Sequence, residues 1–193
     1  MQITLLDGGL GQEIYRRSKL TEALLWSVEA MLNEPEIVTE VHLEFILAGA
    51  EICTLNTYTA TSTRLRNSNR EDDFELIHAM ADHALREAIQ KSELPVKVAG
   101  CLPPLHGSYL GTPSRTKSSM SDEYAKIVQL HPTVDLWIIE TMTNPLEAEA
   151  AVTAGLESGK PVLLAYRLEN NGRLKSGHTL KEVKGCFDHN ELN

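Results

Sequence analysis

Two acidic residues directly follow short apolar runs and are the first candidates for chemistry. Asp7 lies between the run 3–6 and the pair Gly8-Gly9, and Glu140 follows the run 134–139. Such runs predict short buried strands, and paired glycines let a ligand approach the main chain closely. Two carboxylates in one pocket suit an ammonium group, or proton transfer if one pKa is raised. Alternatively, Asp7 is an ordinary turn residue, and Glu140 is a negative charge stabilised by the N-terminus of the helix that follows.

Hydrogen-bonding and thiol side chains follow two further apolar runs. The cluster Asn56-Thr57-Tyr58 comes after the run 51–55, and Cys101 comes just after the run 96–99. Ligands bind at the carboxyl ends of strands in parallel α/β folds. These side chains are therefore predicted to share one mouth with the two carboxylates. Tyr58 could equally be a rim aromatic, and Cys101 a small buried residue.

Strands and helices alternate along the chain, and this order must position those groups. Strands are predicted at 3–6, 51–55, 96–99, 134–139 and 161–166. Helices are predicted at 35–47, 71–91, 121–130 and 145–157, with a further short helix beginning near Thr179. The stretches 12–33 and 59–70 are interpreted as connections, and 105–118 as a long functional or mobile loop. This alternation predicts a parallel sheet with right-handed crossovers.

Two architectures fit this order: a doubly wound open sheet and a (β/α)₈ barrel. The first turn lacks the glycine spacing of a dinucleotide-binding loop. Five units cannot close an eight-stranded barrel, which typically needs about 250 residues. We expect residues 1–193 to form a single domain with a sizeable core.

Composition excludes several classes of protein. The chain is 42% hydrophobic and 23% charged, as is typical of soluble globular proteins. A net charge of -9 argues against nucleic acid or an anionic membrane as the main partner. The sequence contains no apolar run of membrane-spanning length and no signal-peptide pattern at its start. The three cysteines, Cys53, Cys101 and Cys186, are predicted to be free thiols, and a cytoplasmic location is expected.

Eight motifs, taken in order, resemble the homocysteine S-methyltransferase family, which includes betaine–homocysteine methyltransferase. They are LLDGGLGQEI from Leu5, LLWS from Leu24, PEIVTEVHLEFILAGA from Pro35, TLNTY from Thr54, GCLPPLHGSY from Gly100, VDLWIIETM from Val134, EAEAAV from Glu147 and SGKPV from Ser158. Each motif alone is modest evidence. The ordered set covers nearly the whole chain and is specific.

The resemblance implies a (β/α)₈ barrel that transfers a methyl group to the sulfur of homocysteine, giving methionine. Matching motifs imply that Asp7 and Glu140 hold the amino group of homocysteine. The backbone at Gly8-Gly9 and the Asn56-Thr57-Tyr58 strand end would complete the substrate pocket. No catalytic residue is assigned. The expected partners are homocysteine and a small methyl donor, with S-methylmethionine favoured over betaine.

The metal site that the resemblance implies is not matched in this sequence. The family holds zinc through three cysteines: one at a strand end, and an adjacent pair near the C-terminus. Cys186 lacks the sequence context of the first, and Cys53 and Cys101 belong to other strands. We therefore expect a barrel truncated after about five or six βα units, before the zinc site, and no zinc bound by this chain.

Two other interpretations stay open. A truncated barrel could be catalytically inactive and act as a binding or assembly module, because an open sheet exposes edges and an apolar face that favour self-association. An unrelated α/β enzyme could instead use Asp7 and Glu140 as an acid–base pair.

Overall fold

Parallel strands and helices alternate in the computed structural model, which describes residues 3–19, 25–113 and 115–184. The strands are β1 (Ile52–Thr54), β2 (Lys97–Leu102), β3 (Leu136–Met142) and β4 (Val162–Tyr166). The helices are α1 (Leu10–Arg17), α2 (Ser27–Asn33), α3 (Pro35–Leu47), α4 (Ser62–Asn67), α5 (Phe74–Ser92), α6 (Lys117–Leu130), α7 (Pro145–Glu157) and α8 (Leu180–Lys184). None of the helices in these ranges is both long and apolar enough to cross a membrane.

The sheet runs in sequence order. Its four strands are parallel and follow one another as β1-β2-β3-β4, and Leu6 adds a parallel bridge to Ile52 beside β1. A doubly wound sheet would reverse its strand order at a switch point, whereas a barrel adds each strand beside the last. The arrangement is therefore an arc of a (β/α)₈ barrel with five units, and the doubly wound alternative is wrong.

The first predicted strand is only partly formed. Within the run 3–6, Leu6 makes the bridge to Ile52, and Leu5 accepts hydrogen bonds from residues 51 and 52. Leu5 is 50% exposed and Leu6 43% exposed, so the prediction of a buried strand is wrong. The reason is that the described residues place no second strand on the other side of this run.

The two faces of the sheet differ in what they pack against. Val98 and Leu102 of β2 join Trp137 and residues of α6 and α7 in the largest apolar cluster. Ala99, between them, belongs to a small cluster on the opposite face with Leu136. This alternation follows from the two-residue period of a strand. The helix-covered face of the sheet supplies the core. The opposite face, called the inner face here, carries the small cluster that includes Ala99 and Leu136.

One close approach inside the core requires glycine. A Cβ atom at Gly100 would lie 2.2 Å from Cζ3 of Trp137, on the neighbouring strand. Trp137 is fully buried, and its Nε1 donates a hydrogen bond to Ser158 Oγ at 3.0 Å. The indole therefore occupies the space above Gly100 and ties β3 to the end of α7.

Several predicted helices are confirmed with small shifts. Helix α3 begins at Pro35 and buries Val38, Val41 and Ile46, as its apolar spacing predicts. Helix α7 is capped by Asn144, whose Oδ1 accepts from Leu146 N at 2.9 Å. Helix α5 is preceded by a short 3₁₀ turn, and α6 begins four residues earlier than predicted.

Three helices lie in stretches that were predicted to be connections. Helix α1 buries Leu10 and Ile14 and pairs Glu13 with arginines in its last turn. Helix α2 follows Trp26, and α4 follows Thr61, whose hydroxyl accepts from the main-chain N–H three residues later. All three helices are eight residues or shorter, so they carry too few residues for a clear apolar period.

Candidate active site

A cavity of about 680 Å³ lies where the strands end. Of the predicted site residues, Asp7, Gly8-Gly9, Asn56, Tyr58 and Glu140 all line it. The two carboxylates come from the first and fourth strand positions, and both line this cavity, as expected for the carboxyl ends of strands in a barrel.

Thr57 is the predicted site residue that the cavity does not include. Its side chain is 2% exposed, and its Oγ1 has no hydrogen-bond partner among the described residues. Asn56 and Tyr58, on either side of it in sequence, both reach the cavity. Thr57 therefore lies behind the wall and contributes packing.

Asp7 is held by the end of the next strand. Its Oδ2 accepts from Thr54 N at 2.8 Å and its Oδ1 from Thr54 Oγ1 at 3.1 Å. Burial raises the pKa of Asp7 from 3.8 to about 6, the two hydrogen bonds from Thr54 lower it, and the negative charge of Glu140 raises it further. The carboxylate is therefore fixed in position, and its protonation midpoint lies near pH 6.

Glu140 is paired with a thiol. Cys101 Sγ donates to Glu140 Oε1 at 3.1 Å. Burial raises the pKa of Glu140, and the contact with Cys101 partly offsets this effect. Burial together with the nearby carboxylate raises the pKa of the Cys101 thiol well above its ordinary value. The thiol is therefore protonated, and it acts as a hydrogen-bond donor rather than a nucleophile.

A bulge in β3 presents Glu140 to the cavity. The register between β3 and β4 shifts between Ile139 and Met142, and Thr141 adopts a left-handed backbone conformation with φ of 61°. Bulges re-aim side chains next to active sites. Glu140 and Thr141 both line the cavity, and Met142 returns to the core.

The glycines after Asp7 bring the main chain close to the cavity. A Cβ atom at Gly8 would lie 2.7 Å from Cε1 of Phe45 in α3, so a side chain there would displace the aromatic ring. Gly9 comes directly before α1. These two residues form a wall of bare backbone that ends at a helix N-terminus.

Another part of the cavity wall comes from α2 and from the long loop before α6. Asn56 exchanges two hydrogen bonds with Ser27: its Nδ2 donates to Ser27 O at 3.1 Å, and its Oδ1 accepts from Ser27 Oγ at 2.6 Å. Tyr58 shares a hydrogen bond with Ser108 at 2.7 Å between the two oxygens. The loop 105–118 therefore contributes to the cavity wall.

Several cavity residues were not predicted from the sequence. Thr54 ends β1 directly beside Asp7, and its polar side chain at a strand end was an available signal. Trp26 and Ser27 lie in the LLWS motif, but in a stretch predicted to be a connection. Arg64 lies in the predicted polar loop, where nothing in the sequence indicates that a cation turns inward.

The described residues do not fit a three-ligand metal site. Among them, no group of three histidine, cysteine, aspartate or glutamate side chains is arranged to hold an ion. Cys53 packs in the core on the helix-covered face, whereas Cys101 contacts Glu140 on the inner face. Burial raises the pKa of the Cys53 thiol to about 12, which disfavours the thiolate that a metal requires. Cys186 lies outside the described residues.

Comparisons with known proteins place these features in a family. The profile of the family described as Homocysteine S-methyltransferase matches residues 4–192. Homocysteine S-methyltransferase 2 of Zea mays is 28% identical, with 95% of this chain and 61% of the relative covered. Homocysteine S-methyltransferase of Escherichia coli is 27% identical, with 94% and 64% covered. This chain therefore spans about three fifths of the length of these curated relatives.

A solved structure confirms the fold. The metallated form of the Escherichia coli homocysteine methyltransferase MmuM superposes with a TM-score of 0.83 at 23% identity, and the match covers 96% of this chain and 70% of that chain. At this identity the likeness shows the fold alone. The profile match over residues 4–192 identifies this chain as a member of the homocysteine S-methyltransferase family.

Proposed function

We propose that the cavity binds homocysteine, and that the chain takes part in the transfer of a methyl group to the sulfur of homocysteine, which gives methionine. The observation that carries this proposal is that Asp7 and Glu140 line one cavity from separate strand ends. Two carboxylates at one wall attract an ammonium group, and charge-assisted hydrogen bonds are the strong ones in proteins. Family membership supplies homocysteine as the amino acid.

Each proposed binding residue has a distinct part. Asp7 and Glu140 hold the ammonium group, and the main chain at Gly8-Gly9 lets the substrate approach closely. Asn56 and Tyr58 complete the wall, supported by their partners in α2 and the long loop. S-methylmethionine is the methyl donor we favour, with betaine as the alternative.

Zinc belongs to the reaction that the family implies, where it would lower the pKa of the homocysteine thiol. The described cysteines do not converge on such an ion. We therefore propose binding and orientation of the amino acid as the part played by the described residues, and assign them no chemical step. We further propose that residues 1–193 form one domain that works in the cytoplasm, a location supported by the two free, buried thiols.

Calorimetric titration with L-homocysteine tests the proposal. We expect Asp7→Asn and Glu140→Gln each to weaken binding by tenfold or more, about 1.4 kcal/mol, because each removes a charge that pairs with the ammonium group. Glu157→Gln changes an exposed carboxylate at the end of α7 and should bind as the unaltered chain does. Equal affinity of all four proteins would contradict the proposal. Methyl transfer by this chain without added zinc would contradict the zinc dependence.

A second candidate function, assembly, is favoured by the open sheet. Among the described residues no strand pairs with the outer edge of β4, and Leu163 of that strand is 46% exposed. Exposed strand edges and apolar side chains promote pairing with another chain. Analytical ultracentrifugation tests this function: a stable, compact monomer at all concentrations would count against it.

A further inference from the structure

A positive charge lines the same cavity as the two carboxylates. Arg64, in α4, donates from Nη2 to Pro104 O at 3.0 Å, and its guanidinium carbon lies 5.3 Å from the centre of the Tyr58 ring. No carboxylate among the described residues forms an ion pair with Arg64. Arg66, two residues later on the same helix, pairs with Glu71 at 3.0 Å.

The surroundings of Arg64 leave its charge only partly compensated. Its Nε is buried without a hydrogen-bond partner among the described residues. One carbonyl, one aromatic face and the nearby charge of Glu147, which forms no ion pair with Arg64, offset part of the cost of removing the guanidinium from water. A buried charge is ordinarily paired directly. An anion in the cavity would pair with the Arg64 guanidinium and compensate the rest of its charge.

The segment 103–105, which accepts the hydrogen bond from Arg64, is held in place by other hydrogen bonds. Leu105 N donates to Glu147 Oε1 at 2.9 Å, and Tyr124 donates to Pro103 O at 2.9 Å. Pro104 lies between these two anchored residues, so the carbonyl that accepts from Arg64 has a defined position. The guanidinium is therefore held at the cavity wall before any ligand arrives.

The carboxylates of Asp7 and Glu140 and the guanidinium of Arg64 all lie close enough to the Cys101 thiol to influence its pKa. Cys101 contacts Glu140 at 3.1 Å, and its pKa is raised mainly by burial, further raised by Glu140 and Asp7, and lowered by Arg64. The cavity therefore offers two negative charges, from Asp7 and Glu140, and one positive charge, from Arg64. An α-amino acid carries an ammonium group and a carboxylate on a single carbon, which matches this pairing of charges.

We propose that Arg64 binds the α-carboxylate of the amino acid whose ammonium group Asp7 and Glu140 hold. This inference rests on the proposed function and deepens it, because it adds a residue that selects α-amino acids over simple amines. Arginine suits this role because its charge is permanent and its planar donors match a carboxylate.

Calorimetric titration with two ligands tests the inference. The ligands are L-homocysteine and 3-aminopropane-1-thiol, which is homocysteine without its carboxylate. We expect the unaltered chain to prefer homocysteine by about tenfold or more, since a hydrogen bond between charged groups contributes roughly 1.5–3 kcal/mol. Arg64→Gln should abolish this preference and leave binding of the amine within about twofold. Arg64→Lys should keep part of the preference, and Arg66→Gln should behave as the unaltered chain.

The possible outcomes separate this inference from the proposed function. A preference that survives in Arg64→Gln overturns the inference, and the proposed function then still stands if Asp7→Asn weakens binding. Equal weakening of both ligands in Arg64→Gln also overturns it, because that result indicates a purely structural role. Weaker binding of S-methylmethionine alone would assign Arg64 to the donor and overturn it as well. If the unaltered chain binds neither ligand, the proposed function itself fails.

Discussion

Asp7 is bound at both carboxylate oxygens by a single residue, Thr54, at the end of the neighbouring strand. An ionised carboxylate has about four acceptor positions and Thr54 occupies two of them, so Asp7 keeps further acceptor capacity for a ligand in the cavity that it lines. The two hydrogen bonds favour the ionised form, and burial opposes it more strongly. The site therefore holds a carboxylate whose charge depends on pH close to neutrality.

The first prediction concerns the pH dependence of ligand binding. Because the pKa of Asp7 is raised to about 6, its carboxylate is ionised above pH 6 and progressively protonated below it. An ammonium ligand needs the ionised form, so the affinity for homocysteine should fall about tenfold per pH unit below 6. Titration calorimetry from pH 5 to 8, in buffers of different ionisation enthalpy, measures both the affinity and the proton released. An affinity that stays constant over this range would contradict the prediction.

The second prediction concerns the stability of Asp7→Asn. The pKa of Asp7 is higher in the folded protein, about 6, than its ordinary value of 3.8. The folded state therefore binds more protons between these values, and its stability falls as the pH rises from about 4 to 6. Removing the charge relieves a penalty of up to about 3 kcal/mol above pH 6, offset in part by the loss of one hydrogen bond from Thr54.

Asp7→Asn should therefore raise the free energy of unfolding by about 1–2 kcal/mol at pH 7, and the gain should vanish at pH 4. Urea denaturation at both pH values measures this difference. Asp122→Asn, at an exposed position on α6, is the matched control and should change stability little. A loss of stability at pH 7 in Asp7→Asn would show that the hydrogen bonds outweigh the burial of charge.

The third prediction concerns thiol reactivity. Burial raises the pKa of Cys53 to about 12 and that of Cys101 well above its ordinary value, and both side chains are buried. Because the thiolate is the reactive form, neither residue should be alkylated by iodoacetamide at pH 8 in the native protein. Both should react fully in denaturant. Peptide mass spectrometry distinguishes the sites, and rapid native labelling of Cys101 would contradict the burial that the structure assigns to it.

The fourth prediction concerns the contact between Gly100 and Trp137. A methyl group at position 100 would lie 2.2 Å from the indole, so Gly100→Ala must displace a fully buried ring. Overpacking of this kind should lower the free energy of unfolding by about 3 kcal/mol. Gly107→Ala is the control, because its added Cβ would lie 3.5 Å from Leu110, an ordinary contact distance. Denaturant unfolding compares the two variants, and similar stabilities would refute the stated role of Gly100.

The helices that the sequence predicted well carry strong local signals. Helices α3 and α7 begin at Pro35 and Pro145, and both match the predicted bounds. Helices α1, α2 and α4 lack such signals and depend on tertiary contacts, as when Ser27 of α2 meets Asn56 after β1. The exposure of Leu6 was not predictable either, because it depends on which strands lie beside it.

The candidate site was partly predictable, because some of its residues carry local sequence signals and others depend on tertiary contacts. Asp7 and Glu140 follow apolar runs that predict strands, and the rule that ligands bind at strand ends predicts that they lie in one pocket. The separation of Thr57 from Asn56 and Tyr58 was not predictable, because these residues lie in a bend and a turn after β1, where strand alternation does not apply. Arg64 could not have been found, because its inward position depends on a carbonyl forty residues away in sequence, at Pro104.

The alternation of faces in β2 has an evolutionary consequence. Val98 and Leu102 serve folding, whereas Ala99 and Cys101 point to the other side of the same strand. Substitutions on the two sides should therefore be close to independent in their effects. Ligand preference can then diverge among descendants of this scaffold while the residues that secure its folding stay unchanged.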